Sequence, residues 1–175
     1  MSNWIITNSG RRFDLVSFDE DQIQVEDIAS ALSKLCRFGG HTRKFYSVAQ
    51  HSCLVYDNLS GKPIEVRKQG LLHDSPEAYL GDVVSPLKSL LPEYTAIEKR
   101  LEKAIFSKFG LPCELHPDVK AADLTALSTE ARDLIPNLDL WDNVLAIPPW
   151  PDKIVPWSPE TAEQQFLRRF ASLNE

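Results

Sequence analysis

The chain has 175 residues, enough for one domain that buries an apolar core without covalent staples. Apolar residues make up 43% and charged residues 25%, the balance of an ordinary soluble globular protein. The net charge of −6 argues against general nucleic-acid binding, which needs a basic surface to displace counterions, but leaves a free nucleotide open, because a local Arg and Lys cluster suffices for it.

Trp4-Ile5-Ile6-Thr7 and Phe13-Asp14-Leu15-Val16 are β-prone runs joined through Asn8-Ser9-Gly10, which predicts a short N-terminal hairpin. Asp21 to Val25 reads as an extended approach to a first helix. That helix has Ile28, Leu32 and Leu35 at helical spacing, and Gly39-Gly40 stops it, so Arg37 and Phe38 stand at its end. Gly39 to Tyr46 reads as a loop, in which His41 is a candidate to line a cleft while Arg43 and Lys44 read as solvated. Ser47-Val48-Ala49-Gln50 has the capping-box pattern, with Ser47 accepting from the Gln50 N–H and Gln50 reaching back. His51 then lies in the first turn of a helix, beside the apolar stripe of Val48, Val55 and Leu59.

Pro63 suits the first turn of the helix that carries Ile64, Val66, Leu71 and Leu72. Pro76 interrupts that helix, and Ser75-Pro76 caps a new turn that swings Glu77 in another direction. Gly81 to Lys88 reads as a connection. After Pro92 comes a helix with Tyr94, Ile97, Leu101, Ile105 and Phe109 inward and Glu93, Glu98, Lys99, Arg100, Glu102 and Lys103 on a solvated face. A further helix places Asp123 with Val119, Ala126 and Leu127 and runs through Glu130 and Leu134 to Pro136. A buried carboxylate there is costly unless a cation neutralises it. Asn137 to Trp157, rich in Trp, Pro and Asp, predicts an irregular covering segment, and Ser158-Pro159-Glu160 caps a final helix with Phe166, Leu167 and Phe170. The sum is an all-α single domain: a hairpin and entry segment at 1–24, a helical core at about 25–135, and the covering segment and final helix at 137–175.

Cys36, Cys53 and Cys113 are odd in number and lack metal-ligand spacing, so they read as reduced core thiols. No basic leader precedes a long apolar run, which places the chain in the cytoplasm and off the membrane.

The chemistry concentrates in Leu71-Leu72-His73-Asp74-Ser75-Pro76-Glu77. On a helix, adjacent His73 and Asp74 point about 100° apart and reach one ion only if it lies over the seam between them, so further ligands must come from other helices. His51 upstream and Asp123 downstream are the candidates. A single histidine on an apolar face is more often a satisfied core residue, but the ordered set of His, His-Asp and Asp on helices is more specific than its parts. Two nitrogens and two carboxylates suit one divalent ion among Mn²⁺, Fe²⁺, Co²⁺, Zn²⁺ and Mg²⁺, and leave the site neutral for an anionic substrate.

With Cys36-Arg37-Phe38, Phe45-Tyr46-Ser47-Val48-Ala49-Gln50-His51-Ser52, His73-Asp74-Ser75-Pro76-Glu77-Ala78-Tyr79, Asp82, Ser85-Pro86-Leu87-Lys88 and Val119-Lys120-Ala121-Ala122-Asp123, the chain resembles the HD-domain phosphohydrolase superfamily. Within it the chain looks like the small 5'-deoxynucleotidase branch and its prophage-associated relatives, over about Ile28 to Leu134. The resemblance implies an HD-domain helical bundle that binds metal through His51, His73, Asp74 and Asp123 and hydrolyses deoxyribonucleoside 5'-phosphates by in-line attack of a metal-activated water. Glu77 would be the general acid or base beside Asp74, Arg37 and Lys88 would hold phosphate, and Asp82 would read the sugar hydroxyl. In that branch a tryptophan follows the arginine; Phe38 stands there in this chain and keeps an apolar surface without the indole donor. Relatives self-associate, which implies a homo-oligomer with a small nucleotide as its partner and no nucleic-acid polymer. The competing expectations are a deoxynucleoside triphosphate triphosphohydrolase and a nucleotide-binding regulator without turnover; an intact Glu77 counts against the second.

Overall fold

An antiparallel hairpin opens the computed structural model, which describes residues 3–137 and 146–173. Strand β1 (Trp4–Ile6) pairs with β2 (Arg12–Asp14), and Ile5 lies opposite Phe13. Helices make up most of the remaining chain: α1 (Val25–Lys34), α2 (Val48–Asn58), α3 (Ile64–Leu72), the short α4 (Glu77–Leu80) and α5 (Ser85–Lys88), α6 (Pro92–Lys108), α7 (Pro117–Leu134) and α8 (Pro159–Ser172). The expectation of a mainly helical chain with a small N-terminal sheet therefore holds. Among the described residues no helix is long and apolar enough to cross a membrane.

Helix α2 is central because it is small or apolar nearly all round: Val48, Ala49, Ser52, Cys53, Val55 and Tyr56 are all buried. It packs against α1, α3, α7 and α8. The main core gathers Ile28, Leu32, Val48, Cys53, Leu71, Leu72, Leu101, Phe106 and Phe166, and a second cluster joins Val55, Leu59 and Val66 to Val119 and Ala126. The hairpin is tied down twice. Phe13 is fully buried and stacks on Tyr79 with ring centroids 4.2 Å apart, and buried Asp27 on α1 accepts from the Ser9 backbone N–H at 2.7 Å and the Ser9 hydroxyl at 2.8 Å.

Several local expectations change. Asp21 to Val25 is not wholly extended, because Asp19 caps a 3₁₀ turn at Glu20–Gln22 through a complete capping box. Helix α1 ends at Lys34 rather than Gly39. Beyond it Cys36 bridges Ser47 in antiparallel fashion, Val48 N–H donates to Leu35 C=O and Arg37 N–H to Tyr46 C=O, so the backbone satisfies its polar groups across space instead of along a helix. Arg37 and Phe38 consequently lie on a 3₁₀ turn, Arg37–Gly40, where Phe38 takes the left-handed conformation at φ 57°. Ser47 caps α2 as expected, but Gln50 does not reach back. Its amide spans to Val155 C=O and Trp157 N–H and pins the covering segment. The Gly81 to Lys88 connection contains α5. Cys53 is buried, but Cys36 is half-buried and Cys113 exposed on the link between α6 and α7, so the three thiols are not all in the core.

Residues 138–145 of the covering segment lie outside the described residues; from 146 to 157 the segment has no regular structure and runs over α7. Ser128 donates to Ile147 C=O, Arg132 to the carbonyls of Trp150 and Asp152, and Asp133 accepts from Ile154 N–H.

Helices α2 and α3 approach most closely at Gly70, where an added Cβ would collide with a Leu59 methyl and touch Val55 Cγ1 at 3.4 Å. Gly70→Ala is expected to destabilise the fold by about 1–3 kcal/mol, the usual range for overpacking, read as a lowered urea midpoint at unchanged slope. An unaltered midpoint would mean that the Leu59 side chain turns aside without cost.

Candidate metal centre

The close approach of α2 and α3 brings His51 and His73 together. His51 projects from the first turn of α2 and is fully buried. His73 caps the C-terminus of α3 in helical geometry, and the chain keeps turning through Asp74. Asp123 comes across from α7. His51 Nε2 lies 3.2 Å from His73 Nε2, 3.4 Å from Asp74 Oδ2 and 3.2 Å from Asp123 Oδ1. His73 Nε2 lies 3.4 Å from Asp74 Oδ1 and 3.9 Å from Asp123 Oδ1. Among the described residues, His51, His73 and Asp74 form a group that could hold a metal ion, with donor atoms all within 4.8 Å of one another, and Asp123 reaches both imidazoles of it.

The other ring nitrogens fix the tautomers. His73 Nδ1 lies 2.8 Å from the Gly70 carbonyl, which can only accept, so Nδ1 carries the proton. His51 Nδ1 lies 2.6 Å from Glu130 Oε1, a carboxylate that likewise accepts. Each neutral ring therefore turns an Nε2 lone pair towards the other and towards two carboxylates. Four acceptors facing one another repel unless something positive lies among them. A first-row ion about 2.1 Å from each donor sets neighbouring donors about 3.0–3.4 Å apart, which the observed separations match. The donor set thus fits a divalent cation. Protons compete for the same place: burial opposes the His73 proton, but Asp74, Asp123 and the Gly70 carbonyl outweigh it and push the imidazole up to about 9. For His51, burial and the Arg37 charge oppose the proton, and Glu130 and Asp123 raise the pKa despite them. Burial disfavours the Asp74 and Asp123 anions, yet the two histidines hold both carboxyls below the usual range.

Asp123 is not the buried carboxylate expected on α7, since its side chain is 38% exposed at the rim. The buried one is Glu130, at 0%. Its Oε2 accepts from Arg37 Nε at 3.1 Å, and Arg37 Nη1 donates to Asp74 Oδ2 at 3.3 Å. Burial disfavours its anion, but Arg37 and His51 keep it ionised. The reading from sequence passed over Glu130 although a signal was present: it comes seven residues after Asp123, two helical turns on, and so shares its face.

Above these groups opens a cavity of about 690 Å³ lined by Arg37, Phe38, His41, Asp74, Glu77, Asp82, Lys88 and Asp123, with Val83, Val84, Leu127 and Ile135 as apolar wall. His51 and His73 lie behind it. Lys88 Nζ is 3.7 Å from Glu77 Oε1 and 2.6 Å from Glu98 Oε1, so Glu98 belongs to the wall and not to the solvated face expected for it. Tyr94 supports the same corner, with its ring 5.7 Å below Lys88 Nζ and its hydroxyl donating to Gly81 C=O. Burial, then the charges of Asp74 and Asp82, push the Glu77 carboxyl up to about 9, against the pull of Arg37 and Lys88. Burial likewise raises Asp82. His41 is exposed and contributes only an edge of the opening.

These shifts fix a stability profile for chelator-treated protein. His73, raised from 6.5 to about 9, adds stability that is complete below 6.5 and lost as pH climbs through 9. Glu77, raised from 4.5 to about 9, acts with the same sign from a lower starting point. Asp74 and Asp123 are depressed, so their contribution is present above 3.8 and lost as pH falls. The melting temperature should peak near pH 5, roughly where the opposing windows meet, and decline towards pH 9. Glu77→Gln should flatten the lower part of that decline. A profile that is level from pH 5 to 9 would contradict these shifts.

Two relatives align with most of the chain. The Escherichia coli (strain K12) protein named "Uncharacterized protein YfdR" is 39% identical over 175 residues, spanning 99% of this chain and 97% of its own length. The Rhodobacter capsulatus protein named "Uncharacterized protein RCAP_rcc00048" is 38% identical over 136 residues, spanning 74% of this chain and 69% of its own. No protein-family model matches the chain. Identity of this order over nearly the full length of both proteins means that the chain belongs to the same family as YfdR.

Proposed function

We propose that the chain is a metal-dependent phosphohydrolase of the HD-domain type, acting on deoxyribonucleoside 5'-phosphates. The observation that carries this reading is the meeting of His51, His73, Asp74 and Asp123 at the floor of a cavity whose wall holds both Arg37 and Lys88. A divalent ion held by the four donors would polarise a phosphoryl oxygen and acidify the attacking water. Arg37 commits one Nε–H and one Nη1–H to carboxylates and keeps three N–H donors for phosphate. Lys88 adds a point charge from the far side. As water's oxygen bonds to phosphorus and the bond to the 5' oxygen breaks, the departing alkoxide needs a proton. Glu77 is suited to supply it, because burial and the neighbouring carboxylates make it hold one. It recovers a proton from the attacking water. Phe38, Val83, Val84 and Leu127 offer apolar surface to sugar and base, with Asp82 in reach of a hydroxyl.

Charge balance favours a monoester over a triphosphate. Arg37 is already shared between Glu130 and Asp74, and Lys88 between Glu98 and Glu77. One divalent ion offsets Asp74 and Asp123. The wall so composed has no surplus cation for the roughly four negative charges of a triphosphate, whereas a dianionic monoester brings about half that load.

A hydrolysis screen of nucleoside mono-, di- and triphosphates with Mn²⁺, Co²⁺ and Mg²⁺ tests the reading, and release of inorganic phosphate from deoxynucleoside monophosphates is expected. Pyrophosphate or triphosphate as the product would replace the substrate class, and no turnover with any metal would remove the enzymatic reading altogether. Asp123→Ala should lose bound metal and activity together; a folded variant with wild-type metal content excludes Asp123 as a ligand. Glu77→Gln should keep its metal and its nucleotide affinity while kcat falls by about 10²- to 10⁴-fold, the usual contribution of general acid catalysis. Unchanged turnover would assign the proton to another group.

A further inference from the structure

We propose that Glu130 is a positioning residue shared by the cation site and the phosphate-binding guanidinium, so that one buried carboxylate sets the geometry of both. The inference rests on the cation site of the proposed function and not on its substrate. One oxygen of Glu130 meets the His51 Nδ1–H at 2.6 Å, short enough for a charge-assisted bond, and thereby fixes the ring plane and leaves Nε2 as the donor. The other meets the Arg37 Nε–H at 3.1 Å and fixes the plane of the guanidinium. Arg37 in turn contacts Asp74, which closes a ring of contacts from Glu130 through His51 and Asp74 back to Arg37. A carboxylate with no solvent exposure is expensive to keep. An apolar residue in its place would spare that cost but would leave His51 free to turn and Arg37 held from one side only.

A simpler role is also testable: Glu130 could serve only to neutralise Arg37. The two roles separate in full-length protein titrated with Co²⁺ alone, followed by its visible absorption, and with inorganic phosphate on the Co²⁺-loaded form, followed by calorimetry. In Glu130→Gln the Co²⁺ affinity should fall about 10- to 100-fold, the usual effect of losing a carboxylate behind a ligating histidine, and phosphate should bind more weakly as well. The double variant Arg37→Met/Glu130→Gln removes both charges, leaves neither stranded, and is the test if the single variant does not fold. It should retain the 10- to 100-fold loss of Co²⁺ affinity. Recovery of wild-type Co²⁺ affinity in the double variant would reduce Glu130 to a counterion and overturn the proposal, as would wild-type Co²⁺ and phosphate binding in the single variant. A wild-type chain that binds no Co²⁺ overturns it together with the cation site. A wild-type chain that binds Co²⁺ but hydrolyses no nucleotide removes the substrate reading alone, and the affinity ratios still decide the role of Glu130.

Discussion

The contact between His51 and Glu130 is the one on which the rest of the centre depends. Both side chains are without solvent exposure, so neither can be satisfied by water if the other is absent. Removing one partner of such a buried pair typically costs about 3–5 kcal/mol, more than a wet surface pair contributes in total. From this contact the geometry spreads in two directions. Through the His51 ring it determines which nitrogen faces His73, and through the second carboxylate oxygen it determines where Arg37 stands relative to Asp74. The central position of α2 reflects the same requirement, since a helix that carries a buried imidazole must be enclosed by partners able to meet it.

Floor and wall are built differently. The floor is carried by α2, the end of α3, and α7, all long enough to be fixed by their own packing. The wall is carried by α4 and α5, which have four residues each and are too short to persist alone. Their positions come from α6: Tyr94 holds Gly81, and Glu98 holds Lys88. Helix α6 therefore acts on the cavity without lining it.

What could be read in the sequence was whatever is encoded locally. The hairpin came from two β-prone runs and a turn, the start of α2 from Ser47, and the order His51, His73-Asp74, Asp123 from residue type on periodic helices. Features fixed across space were missed. The early end of α1 depends on a bridge between Cys36 and Ser47 that no local signal announces. Gln50 has the right residue type for a capping box but is drawn away by the covering segment. Glu98 and Glu130 illustrate the main difficulty, because a charged residue on a helix reads as solvated until the facing element is known. For Glu130 the two-turn spacing from Asp123 could have raised the question; for Glu98, paired with a lysine on a four-residue helix, nothing in the pattern could.

The covering segment also bears on how the family can diverge. Its attachments to the rest of the chain run mostly through its own main chain: the carbonyls of Ile147, Trp150, Asp152 and Val155 accept, and the amides of Trp150, Ile154 and Trp157 donate. Every residue type except proline offers that amide, and every residue offers that carbonyl. Apart from Trp150, whose ring packs against the second core cluster, side chains in this stretch can be exchanged without breaking the seam. The specificity of attachment resides instead in Gln50, Ser128, Thr129, Arg132 and Asp133 on α2 and α7, the helices that also carry His51 and Asp123. Drift in the covering strip is thus tolerated, while the surface it covers is constrained twice over, by the strip on one side and by the ion-binding groups on the other.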